Sequence, residues 1–129
     1  MPLFFQITLH EQPIAMQRPR LGKGHTYNPQ AELKEAHGWL FKEALMHARK
    51  NCTDKPLRVE FTFSFKRVPS NKKKYHTSTP DIDNCIKYYL DAMQGDGGIV
   101  YFNDSQIVEL SAKKLYNVKP EVNITVFEV

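Results

Sequence analysis

LRVEFTFSFKRV, residues 57–68, alternates Leu57, Val59, Phe61, Phe63 and Phe65 with Arg58, Glu60, Thr62, Ser64 and Lys66. A repeat of two over ten residues marks a strand with one face on a core and the other toward water. Five large apolar side chains on one face need covering, and the flanking segments offer the cover. Downstream, KRVPSNKKKYH (66–76) reads as a basic loop with a Pro-Ser-Asn turn signal. TPDIDNCIKYYLDAM (79–93) then predicts a helix from about 82 to 93, with Ile82, Ile86, Leu90 and Met93 on one arc of the wheel as its buried face. QGDGG (94–98) ends that helix with glycines suited to left-handed backbone. Two more strands are expected near 106–115 and 121–128.

Upstream, Phe5, Ile7 and Leu9 alternate with Gln6 and Thr8 in a strand over 3–9. Residues 14–28 lack periodicity and read as a loop. Asn28-Pro29 resembles a helix N-cap followed by proline at the first helical position. The helix it opens, at about 30–50, carries Leu33, Ala36, Leu40, Ala44 and Ala48 along its expected buried face. The order β-α-β-α-β-β predicts an α+β fold, a sheet with antiparallel pairs and helices packed on one face. Residues 1–129 show no repeat, linker or internal boundary and form a single domain.

The totals narrow the function. Hydrophobic residues make up 41% and charged residues 25%, the balance of a water-soluble globular protein. No run of about 18 apolar residues exists, so a membrane-spanning role is excluded. The start MPLFFQITLH lacks signal-peptide features. Cys52 and Cys85 are few, distant and outside any zinc spacing. A reducing cytoplasmic location is expected, with both thiols buried as small hydrophobes. Eighteen basic against 14 acidic residues give a net charge of +4. Five of the basic ones, Lys66, Arg67, Lys72, Lys73 and Lys74, fall in the 66–76 loop with no acid among them. That concentration points to a polyanionic partner, although a solvated lysine loop explains it almost as well.

The chemistry centres on Asp81 and Asp83. On a helix they would lie about 160° apart, so they converge only if Asp81 precedes the helix in extended backbone. Thr79-Pro80 favours that geometry, because the residue before proline is driven out of the helical region. The ordinary explanation makes Asp81 an N-cap, Asp83 a first-turn acid and Asp83–Lys87 an i,i+4 pair, each worth about 0.3–1 kcal/mol. A third acid, Asp104 in YFNDSQIVEL, follows the glycine turn, which could return it beside the helix start. Clustered carboxylates need a cation, and oxygen ligands favour Mg²⁺ or Mn²⁺ over zinc.

PDIDNCIKYYLDAM followed by YFNDSQIVELSAKKLY resembles the RusA family of Holliday-junction resolvases. The matching positions are Asp81, Asp83, Asn84, Lys87, Asp91, Asp104, Gln106, Ile107 and Val108, within residues 80–116. The resemblance implies a RusA-like domain and a homodimeric endonuclease that resolves four-way junctions with Mg²⁺ or Mn²⁺. It also implies metal and catalytic roles for Asp81, Asp83 and Asp104, and an essential basic role for Lys87. This sequence departs from the family in carrying the additional acid Asp96 and a lysine loop where an arginine run is usual.

The expected reaction is phosphodiester hydrolysis by a metal-activated water, with no organic cofactor. Asn84 is expected to orient a ligand, a plain helix-start role being equally open, and Lys66, Arg67, Lys72, Lys73 and Lys74, with Arg18 and Arg20, to track the phosphate backbone of branched DNA. Tyr75 reads as a packed loop residue rather than a base-stacking one. A symmetric homodimer would make the two matched cuts a junction needs, the Phe-rich strand being a candidate interface. Two readings stay open beside this one: a nuclease selective for flaps, forks or duplexes, and a nucleic-acid-binding module without catalysis.

Overall fold

The structure is a computed structural model, which describes residues 1–17, 20–21, 26–27 and 29–129, with backbone only at 20–21 and 26–27. The elements are β1 (Leu3–Leu9), a short hairpin of β2 (Arg20–Leu21) and β3 (Thr26–Tyr27), α1 (Ala31–His47), β4 (Leu57–Lys66), α2 (Ile82–Gln94), β5 (Ile107–Asn117) and β6 (Glu121–Glu128). A single 3₁₀ turn, Asp104–Gln106, leads into β5. The expected order therefore stands, with one added hairpin in the 14–28 loop. The expected N-cap Asn28 lies outside the described residues; Gln30 precedes α1 instead.

The main sheet runs β1-β6-β4-β5. β6 pairs antiparallel with both β1 and β4, whereas β5 pairs parallel with β4 over Leu57–Lys66. The parallel pair follows from α2, which carries the chain from the end of one strand back to the start of the next. One sheet face presents Phe5, Leu9, Val59, Phe61, Phe63, Phe65, Val122, Ile124 and Val126, all buried against the helices. Fully burying side chains of this size stabilises the fold by about 1.5–3 kcal/mol each. β4 is an interior strand, so its phenylalanines are core and cannot form a dimer interface.

Both helices bury faces rotated from the expected ones. α1 buries His37, Gly38, Phe41 and Leu45, leaving Leu33 and Leu40 exposed. α2 buries Cys85, Tyr88, Tyr89, Ala92 and Met93, while Ile82 lies at the surface. The cause is a polar cluster that satisfies its own members. His37 Nε2 lies 2.8 Å from Glu11, His37 Nδ1 lies 2.8 Å from the Tyr88 hydroxyl, and the Tyr89 hydroxyl donates to Glu11 at 2.6 Å. A histidine and two tyrosines with partners can enter a core that simple apolar periodicity would deny them. Among the described residues no helix is long and apolar enough to cross a membrane.

Candidate active site

Asp81 sits at the start of α2 with extended backbone (φ −70°, ψ 147°). Its carbonyl accepts from the Cys85 amide at 3.2 Å, but its side chain makes no capping hydrogen bond. Asp83 lies in the first turn, exposed, and among the described residues its carboxylate accepts only the adjacent Asn84 amide, at 2.9 Å. Lys87 lies one turn on, exposed and in no ion pair among the described residues. Neither ordinary role, cap nor i,i+4 pair, therefore engages these side chains.

The rotation of α2 explains their direction. With Tyr88 and Tyr89 inside, Asp83 and Lys87 fall on the opposite, outward side of the helix rather than at the border of its buried face. Asp81 and Asp83 line an open cavity of about 600 Å³ with Thr77, Ser78, Thr79, Lys113 and Lys114. Two carboxylates beside hydroxyl and carbonyl oxygens form a hard-oxygen donor set, which fits Mg²⁺ or Mn²⁺ and not a thiophilic ion. Asn84 is partly buried and its carbonyl accepts from the Met16 amide at 2.8 Å, tying the helix start to the N-terminal segment.

Asp104 does not join them. Its amide donates to the Gln94 side chain at the far end of α2, and it sits near Tyr101, whose hydroxyl donates to the Leu90 carbonyl. A 13-residue helix spans about 20 Å at 1.5 Å per residue, so the two ends of α2 are well separated. The turn does contain the expected left-handed glycines, Gly95, Gly97 and Gly98, but the residues after it hold Asp104 at the helix end instead of returning it to the start. Val100 and Tyr101 do this, bonding to Met93 and Thr53 before the 3₁₀ turn begins. Among the described residues, no three acidic, histidine or cysteine side chains converge on one point.

The basic loop flanks the acid pair. Lys66, Lys72, Lys73 and Lys74 are exposed. Arg67 spends one guanidinium nitrogen inside the loop, donating to the Asn71 and Lys73 carbonyls at 3.1 and 2.9 Å. Tyr75 is 54% exposed, lines the same cavity and lies 5.2 Å from the Lys74 ammonium, contrary to the packed position expected of it. Arg18, and the side chain of Arg20, lie outside the described residues.

Two cavity residues escaped sequence reasoning. Lys114 donates from Nζ to the Ser78 carbonyl at 2.7 Å and to the Pro80 carbonyl. His76 stacks on Phe65 with ring centroids 3.7 Å apart; burial, and then the Lys114 charge, push its pKa below the ordinary histidine value. The signal for Lys114 was present: in strand alternation it shares a face with Ala112 and Tyr116, where a cation needs internal partners. Cys85 is buried, and that burial pushes its thiol up to about 11, as expected for an inert core cysteine.

The chain is similar to known proteins over nearly its whole length. The chain is 31% identical over 130 residues to the crossover junction endodeoxyribonuclease rusA of Lactococcus phage r1t, with 97% of each chain covered. It is 29% identical over 140 residues to the uncharacterized protein YqaN of Bacillus subtilis (strain 168), with 96% of each covered. Residues 11–127, nearly the whole chain and both motif blocks, match the profile of the endodeoxyribonuclease RusA family. On the fold, the exposed acid pair and these matches, the chain belongs to the RusA endodeoxyribonuclease family.

Proposed function

We propose that the protein is an endonuclease that hydrolyses phosphodiester bonds in branched DNA, resolving four-way junctions with Mg²⁺ or Mn²⁺ at Asp81 and Asp83. The observation that carries this reading is the pair of exposed carboxylates at the α2 start, used among the described residues neither as caps nor in ion pairs and sharing a cavity with Lys113 and Lys114. Their oxygens would hold the ion; when bound, it supplies Lewis-acid stabilisation of phosphoryl charge and a more acidic water. Lys87, outward and one turn from Asp83, would meet the scissile phosphate and stabilise charge developing on its oxygens. Asn84 would orient the Asp83 carboxylate, whose oxygen already accepts the Asn84 amide. Lys66, Lys72, Lys73 and Lys74 would bind backbone phosphates of an arm, and Tyr75 would stack on an unpaired base.

Asp104 would enter the site from a second copy of the chain. β5 is an edge strand whose outer side carries, among the described residues, residues 74–76 near Lys114–Tyr116. Residues 107–113 have no outer strand partner among the described residues, and Val108 and Leu110 are 58% and 46% exposed. Asp104 and Lys114 lie five residues to either side of Glu109. Antiparallel pairing of two such edges about a two-fold near Glu109 would therefore set the Asp104 of each copy beside Lys114, and so beside Asp81 and Asp83, of the other.

The direct test incubates labelled junction, flap and duplex DNA with the protein in Mg²⁺. Paired symmetric cuts in the junction, lost in Asp83→Asn with binding retained, are expected. Equal cutting of flaps or duplexes would remove junction selectivity, and full activity of Asp83→Asn would defeat the site.

A further inference from the structure

The segment that delivers Asp81 belongs to no helix or strand, yet it is held at alternate residues by one side chain and its own carbonyl. The His76 amide donates to the Lys114 carbonyl at 3.2 Å, and Lys114 Nζ donates to the carbonyls of Ser78 and Pro80. The last of these is the residue immediately before Asp81. Lys114 itself is fixed by the sheet: it lies in register with Phe63 on β4, and its ammonium sits 5.6 Å from the Phe65 ring. It lines the same cavity as Asp81 and Asp83. Two of the three ammonium donors are thus committed to backbone carbonyls, and the charge faces a pair of carboxylates.

We propose that Lys114 is a positioning residue for the metal and phosphate site, pinning the Ser78–Pro80 backbone so that the Asp81 carboxylate is held beside Asp83. This rests on the nuclease reading above. A lysine that merely supplied charge would have the opposite effect on a cation: removing it would leave the carboxylates more attractive to Mg²⁺. A lysine that holds Asp81 in place improves cation binding despite its own charge. The sign of the change on substitution separates the two roles.

The experiment compares wild type, Lys114→Met and Lys114→Arg by three readouts: Mn²⁺ binding followed by electron paramagnetic resonance, the Mg²⁺ dependence of junction cutting, and junction binding in EDTA. Lys114→Met is expected to bind Mn²⁺ about tenfold more weakly and to need about tenfold more Mg²⁺ for half-maximal cutting, the size of effect seen when residues orienting metal ligands are removed. Cutting at saturating Mg²⁺ and binding in EDTA should stay within a few-fold of wild type, and Lys114→Arg, which keeps charge and donors, should recover most of the difference. Unchanged or tighter Mn²⁺ binding by Lys114→Met overturns the proposal, as does a Lys114→Arg variant as weak as Lys114→Met. A wild type that never cuts in Mg²⁺ defeats the nuclease reading instead, and the Mn²⁺ comparison then judges Lys114 separately.

Discussion

Glu11 shows how one side chain sets the depth of two helices. Burial alone would raise its pKa, but hydrogen bonds from His37 and Tyr89 and the attraction of His37 together hold it below the ordinary carboxylate value. A depressed carboxylate contributes stability that is present above the unfolded pKa, about 4.3, and lost as pH falls through the lower folded value. Glu11→Gln should therefore cost about 1–3 kcal/mol near pH 7, since it leaves His37 and Tyr89 with a weaker acceptor. Urea melts at neutral pH and near pH 3.5 check this: the gap between variant and wild type should narrow on acidification, and a gap that widens would contradict the assignment. None of this partnership was legible in the sequence, where Glu11 follows the strand at 3–9 and His37 falls within the helix at about 30–50. Hydrogen bonds across 26 and 78 residues of chain decide it. The expectation that both thiols are buried as small hydrophobes holds for Cys85, whereas Cys52 is only partly buried.

At the scale of elements, the turn after α2 and the lysine loop make separate predictions. Gly98 has φ +98°, and a Cβ there would lie 2.9 Å from the Phe102 ring and 3.0 Å from Cys52 Sγ. Gly98→Ala should destabilise by about 1–3 kcal/mol, read as a lower urea midpoint, because both backbone and space oppose it. The loop acts through charge instead. Replacing Lys72, Lys73 and Lys74 by alanine should lower junction affinity and reduce the slope of log K against log salt by about 2–3 in double-stranded arms, since each exposed lysine neutralises about one phosphate. An unchanged slope in fluorescence anisotropy would return the loop to plain solvation. Arg67 should matter differently: its contacts to Asn71 and Lys73 make Arg67→Ala a loop-ordering defect more than a lost phosphate contact. Element order, strand alternation and the glycine turn followed from local pattern. The rotation of both helices did not, because tyrosine and histidine count as polar until their partners are known.

For the whole molecule, the separation of Asp104 from Asp81 makes subunit exchange the decisive measurement. In the proposed two-fold assembly, Asp83→Asn and Asp104→Asn should each be inactive alone. Mixed and re-equilibrated, they should regain nicking, because a heterodimer with shared sites holds one site carrying both changes and one carrying neither. Two sites built within single chains would give no recovery. A charge pair such as Val108→Glu with Leu110→Glu on the β5 edge should shift the protein toward monomer in sedimentation and remove cutting together. The sequence by itself determined the α+β order, the half-buried strands, the acid pair at a helix start and the family, because period-two alternation, proline geometry and motif spacing are properties of neighbouring residues. Only the tertiary structure decided which helix faces are buried, which cation holds the Asp81 segment, and that Asp104 stands at the opposite end of α2. Those depend on contacts between residues remote in the chain, and a 13-residue rigid helix keeps its two ends apart whatever the spacing of acids along the sequence permits.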